Sequence, residues 1–133
     1  MTQLLNGKNT GMGLIRIITG LLLAYHGLEV FKPDIMDSYL LWDTIKALPF
    51  SKVMLYLGKG IELVAGILLA LGLFTRISAA FGAIVMLFIC FYIGNGRFWY
   101  EDQHPYLFAM LCTVFLVFGS GGFALDKIIR IKK

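Results

Sequence analysis

Four long apolar stretches separated by short polar breaks dominate the chain, over roughly 11–31, 53–74, 77–94 and 105–119. A helix needs ~20 mostly apolar residues to cross the hydrocarbon core of a bilayer, and each stretch comes near that length. The pattern predicts an all-α protein, a transmembrane four-helix bundle forming a single integral membrane domain over residues 1–133. Between the first two stretches, 32–52 mixes polar and apolar residues. There Ile35, Met36, Tyr39, Leu40, Trp42 and Ile45 recur at a roughly helical period among Asp and Lys. This predicts a short interfacial helix between spans 1 and 2, with Trp42 at headgroup depth.

The breaks carry their own signals. Thr75 and Arg76 alone separate the second and third stretches, which predicts a tight antiparallel hairpin turning on these two residues. Phe98, Trp99 and Tyr100 in the third connection read as interfacial anchors. Ser-Gly-Gly after Gly119 ends the last helix, and 123–133 reads as a short amphipathic tail. Residues 1–10 are polar and lack the apolar core of a cleaved signal peptide, so the first span is read as a retained helix.

Small residues predict where helices approach closely. Gly13, Gly20 and Gly27 recur every seven residues along the first span, and Gly60, Gly66 and Ala70 line the second. Gly-Leu-Leu-Leu-Ala at 20–24 echoes Gly-Ile-Leu-Leu-Ala at 66–70. In antiparallel helices a true repeat of that kind is an inverted one, but chance similarity is the better account of so short an echo.

Composition agrees with the pattern. The 133 residues are 59% hydrophobic and 15% charged, whereas soluble domains are about 25% charged. One small water-soluble core could not bury so many apolar side chains, and no room remains for a soluble catalytic domain. Net charge is +4. Four spans put Lys8, Arg76, Lys127, Arg130, Lys132 and Lys133 on one side, with Arg16 near its boundary. The opposite side mixes Lys32, Lys46, Lys52 and Arg97 with Asp34, Asp37, Asp43, Glu101 and Asp102. Lys and Arg are kept cytoplasmic, which predicts that both N-terminus and C-terminus are cytoplasmic. The basic tail is expected to meet the anionic headgroups of the lipid bilayer rather than nucleic acid.

Five ionisable residues interrupt the apolar runs: Arg16, His26 and Glu29 in the first, Lys59 and Glu62 in the second. A charge at bilayer depth costs at least ~2.5–3.5 kcal/mol, so it is kept for a partner or a task. Residues three apart share a helix face, which makes His26 a neighbour of Glu29 and Lys59 a neighbour of Glu62. The expected polar intramembrane cluster pairs Glu29 with Lys59 and His26 with Glu62, in the outer half of the membrane. It serves either to neutralise charge and fix helix register, or as an outward pocket where His26 and Glu62 relay protons or hold a polar headgroup.

Arg16 is read as snorkelling to phosphates or forming an ion pair with Asp126, with Arg76 a further structural or lipid-contacting residue. His104, with Arg97 and Glu101, falls at the outer mouth in a solvated loop. Cys90 and Cys112 fall at similar depth, as a redox pair or as two small buried hydrophobes. There is no CxxC, no covalent haem or metal motif and no phosphate-binding glycine loop. No catalytic residue is singled out, and catalysis by this chain alone is not expected.

Arg16, Gly20 and Tyr-His-Gly-Leu at 25–28 resemble the first helix of the DoxX family of small four-helix integral membrane proteins. Glu62, Gly66, Gly72, Thr75 and Arg76 are similar to that family's Glu-x-x-x-Gly, Leu-Gly-Leu and Thr-Arg pattern, and Gly-Ser-Gly-Gly-Phe-Ala-Leu-Asp at 119–126 to its last-helix signature. Val30 stands where the family commonly has Lys, and Gly122 where it often has a basic residue. The resemblance implies a bacterial inner-membrane protein that is a subunit of, or partner to, a redox complex linked to a quinone. It implies other membrane protein subunits as partners. A non-catalytic assembly subunit is the alternative reading, and a small transporter the third.

Overall fold

The computed structural model describes residues 7–131, and every regular element among them is helical. Lys132 and Lys133 of the expected tail, and positions 1–6 of the polar N-terminal segment, lie outside the described residues. α1 covers Gly7–Gly27 and tightens into a 3₁₀ turn, Leu28–Phe31. α2 (Pro33–Leu40) and α3 (Asp43–Lys46) follow, then α4 (Ser51–Leu71). α5 (Thr75–Phe88) widens at its end into a π turn, Ile89–Ile93. α6 is Gln103–Phe118 and α7 is Leu125–Ile131.

Three helical stretches are long and apolar enough to cross a membrane: Gly7–Phe31, Ser51–Leu71 and Thr75–Ile93. Their outward faces carry Leu14, Ile18 and Leu21 on α1, Val64 and Ile67 on α4, and Ile77 and Ile84 on α5, all exposed. Water-soluble proteins rarely leave apolar surface so continuous. The molecule is an integral membrane protein. α6 is apolar but has only 16 residues, about 24 Å of helix.

α1 and α4 pack antiparallel at backbone distance, because their contact positions lack side chains. A Cβ added to Gly20 would strike the backbone of Ala70 and the Gly66 carbonyl; one added to Gly66 would strike Ala24 and the Gly20 carbonyl. These contacts interchange when 20 and 66 are swapped together with 24 and 70. The two echoing pentapeptides therefore face each other about a local two-fold. Gly27 meets Leu63 in the same way, whereas Gly13 abuts Gly122 of the chain beyond α6, and Gly60 faces open space.

α1, α4, α5 and α6 all contribute to the core. Leu23, Ala65, Met86, Phe108 and Ala109 form one cluster, and Leu69, Ala79, Ala83, Cys112 and Phe115 form the other. The α4–α5 hairpin turns at Gly72–Phe74, earlier than expected, and Thr75 and Arg76 already belong to α5. Gly72 (φ +71°) takes the left-handed conformation while the Leu73 N–H donates to the Leu68 carbonyl at 2.9 Å, the closure typical of glycine-ended helices. The expected interfacial helix is split: Pro33 starts α2, where its fixed φ suits a first turn, and Leu41–Trp42 break the chain before α3.

Candidate functional site

Two sets of buried charge sit towards opposite ends of the α1–α4 pair. At the end near Gly7, Arg16 is fully buried (0% exposed). Its Nε donates to the Leu69 carbonyl at 2.9 Å, Nη1 to the carbonyls of Gly122 at 2.9 Å and Ser120, and Nη2 to that of Phe123 at 3.1 Å. The guanidinium fork thus pins the Ser120–Phe123 crossing against α1 and the end of α4. The expected ion pair with Asp126 is replaced by these carbonyls. Asp126 instead accepts from the Phe74 N–H at 3.0 Å, the Thr75 N–H at 3.2 Å and Thr75 Oγ1 at 3.3 Å, so it caps α5 from the start of α7. Arg76 is exposed and donates to the Val117 carbonyl at 3.5 Å.

At the other end, Lys59 on α4 lies 2.9 Å from Glu29 Oε2 and 3.1 Å from Glu62 Oε2. Glu29 sits on the 3₁₀ turn after α1, and Tyr39 of α2 donates its hydroxyl to the same Glu29 oxygen at 2.8 Å. The Lys59 ammonium stands 5.3 Å from the Tyr39 ring centroid, within the ~6 Å reach of a cation–π contact. Glu62 is the most enclosed member, 2% exposed. One cation therefore faces two carboxylates, joined by three different helical segments. Burial, together with the bond given to the Glu29 carboxylate, raises the Tyr39 phenol above its ordinary value.

Beside this cluster opens a cleft of about 320 Å³. Trp42, Ile45, Ile84 and Phe88 supply apolar wall, while Lys59 and Glu62 are part of the lining. The cleft exists because α2 and α3 lean over the start of α4, leaving a gap against the end of α5.

His26 stays near Glu29 and Lys59, but its ring contacts lie elsewhere than the predicted Glu62. Its ring lies 5.3 Å from that of His104 and 6.4 Å from that of Phe108. The predicted His26–Glu62 pairing gives way to a histidine pair between α1 and α6. His104 stays exposed in the first turn of α6, whereas Arg97 and Glu101 pair with each other at 3.4 Å in the exposed loop. Cys90 and Cys112 are both buried and free. Cys90 Sγ lies 3.6 Å from the Asp102 carbonyl and Cys112 neighbours Gly82, so they sit about two turns apart in depth rather than level.

Sequence reasoning missed Tyr39 as a member of the cluster and Ser120–Phe123 as the seat of Arg16. Tyr39 carried one signal, its helical spacing with Trp42. Backbone carbonyls carry none. Among the described residues no group of three or more metal-binding side chains converges, and no buried side-chain nitrogen or oxygen lacks a partner.

The DoxX family model matches residues 11–95. That span contains Arg16, His26, Glu29, Tyr39, Lys59, Glu62 and Arg76, and stops before His104 and Asp126. No curated protein and no solved structure matches the chain.

Proposed function

From the premise that the chain belongs to the DoxX family, we propose that it is a membrane subunit of a quinone-linked redox complex, with the Glu29–Lys59–Glu62 cluster and its cleft as the quinone-facing site. The observation that carries this reading is a half-buried cation and two acids beside an apolar cleft of about 320 Å³. Small-molecule sites run from ~300 Å³ upward, mostly apolar with a few convergent polar groups.

The donor set fits a quinone. An ammonium has three N–H donors, and the two carboxylates engage two of them, leaving one for a ring carbonyl. Trp42 and Phe88 offer flat apolar surface to the ring. A quinone, when bound, supplies two-electron, two-proton redox chemistry within the membrane. The chain's own residues orient the ligand and keep water out, and the Glu62 carboxylate holds or releases a proton at the cleft wall. The electron-transferring groups belong to the partner subunits.

The same proposal takes α6 as a fourth span, making one integral domain in a bacterial inner membrane with both termini cytoplasmic. Lys8, Arg76, Lys127 and Arg130 line one groove near Gly7, which supports that orientation by the positive-inside rule. The assembly-subunit alternative needs glycine faces free for partners, and Gly60 offers one open position. Gly20, Gly27 and Gly66 are instead occupied by the α1–α4 contact.

Purification from native membranes in mild detergent is expected to recover redox subunits and bound quinone with this chain. A lone, quinone-free protein would contradict the proposal. Glu62→Gln separates the two readings: lower turnover per assembled complex supports the quinone site, while lower assembly with unchanged turnover supports the assembly role.

A further inference from the structure

A second, larger recess lies at the opposite end, enclosed by the beginnings of α1 and α5, the end of α6, and α7. Its volume is about 1010 Å³. Lys8, Arg76, Lys127 and Arg130 line it together with one acid, Asp126. That carboxylate is already engaged by the Phe74 and Thr75 donors that it caps. Four cations are thus set around a recess whose single carboxylate is committed elsewhere. Among the described residues, the ion pairs involve Lys59 and Arg97, neither of which lines this recess.

Asn9, Thr75 and Ser120 add polar atoms, and the other side chains of the lining are apolar. Met12, Leu73, Phe74, Ile77, Phe118 and Ile129 contribute to it, and Phe74, Ile77 and Phe118 are well exposed. A basic rim over an apolar floor matches a molecule with a phosphate at one end and hydrocarbon at the other. Free phosphate would answer the rim and leave the floor wet. Basic pockets between membrane helices are established seats for anionic headgroups.

We propose that this groove is a specific binding site for an anionic glycerophospholipid. Its phosphate lies among Lys8, Arg76, Lys127 and Arg130, and its upper acyl chains run over Ile77 and Phe118. The site is distinct from the Lys59 cleft and stands or falls independently of the quinone reading.

The test uses the full chain purified in detergent. Native mass spectrometry counts retained lipid, and thermal unfolding is followed while phosphatidylglycerol, phosphatidylcholine or inorganic phosphate is added. Retention of phosphatidylglycerol and saturable stabilisation by it alone are expected. Each cation near a charged headgroup contributes enough to change affinity roughly fivefold. Arg76→Gln with Arg130→Gln should therefore weaken the response by roughly tenfold or more, whereas Arg76→Lys with Arg130→Lys should largely preserve it. Arg97→Gln, at the other end, should change nothing. Equal stabilisation by phosphatidylcholine overturns the charge-selective site. Equal stabilisation by inorganic phosphate overturns the lipid as ligand. An unchanged response in a folded double Gln variant overturns the assignment to this groove.

Discussion

Arg16 and Lys59 are both cations of the α1–α4 pair, the first buried and the second half-buried, yet their surroundings differ in kind. Arg16 gives its donors to four main-chain carbonyls, none of which can change charge. Lys59 gives its donors to two carboxylates, beside a cleft that can admit a ligand. A guanidinium matched to fixed carbonyls holds backbone in place, because its planar fork is already oriented and stays charged. An ammonium set between two acids keeps a donor and a titratable partner in reserve. The difference assigns structure to one end and chemistry to the other.

Breaking the Arg16 end should have the largest effect on stability. Arg16→Leu leaves buried carbonyls unpaired, and an unsatisfied buried group costs ~1–3 kcal/mol. With several involved, a loss of roughly 3 kcal/mol or more is expected, seen as a sharp fall in thermal midpoint in detergent. Arg16→Lys should rescue little, since one ammonium cannot span carbonyls that a fork reaches. Next in size is Gly66→Leu. Its Cβ would collide with the Ala24 backbone, and overpacking of this kind costs ~1–3 kcal/mol. The same unfolding assay should register it, with disulfide cross-linking between engineered cysteines on α1 and α4 reporting a splayed pair.

Asp126→Ala removes the cap of α5 and should cost about 1 kcal/mol, with amide exchange rising first at Phe74 and Thr75. Glu62→Gln should change stability by less still, because Lys59 retains Glu29 and the amide oxygen. Its signature is selective loss of ligand response. Alkaline pH gives the smallest effect. Tyr39 is raised above its ordinary value of about 10. A group with a raised folded pKa contributes stability that is complete below its unfolded pKa and lost as pH rises through the folded one. Part of the stability should therefore fade above about pH 10, and Tyr39→Phe should remove that component of the alkaline titration.

Much of the fold follows from the apolar pattern, and the exceptions have local causes. Helical spacing put Lys59 beside Glu62, and they meet because α4 is regular from Ser51 to Leu71. His26 and Glu29, also three apart, stay near enough to interact but keep different close partners across the 3₁₀ turn that begins at Leu28. Glu29 meets Lys59 and Tyr39, while the His26 ring packs against His104 and Phe108 of α6. The level placement of Cys90 and Cys112 failed because Asp102, at the start of α6, folds back against Cys90. Its Oδ2 accepts from the Asn95 and Arg97 N–H groups at 2.9 and 3.0 Å, drawing the loop down beside α5.

The pentapeptide echo taught the reverse lesson. Five small and aliphatic residues carry little information alone, yet Gly20 and Gly66 with Ala24 and Ala70 make reciprocal backbone contacts. The acceptors of Arg16 were illegible for a simpler reason. Any residue supplies a carbonyl, so only the path of Ser120–Phe123 reveals the seat.

The sharpest test uses Trp42, which lines the cleft beside Lys59 and Glu62. In a Trp99→Phe background, a short-chain quinone titrated into the detergent-purified protein should quench Trp42 fluorescence saturably, and Lys59→Met or Glu62→Gln should weaken that response about tenfold or more while the protein stays folded. Quenching that rises linearly with quinone, or saturates identically in all three proteins, would contradict a quinone-facing site at the Lys59 end.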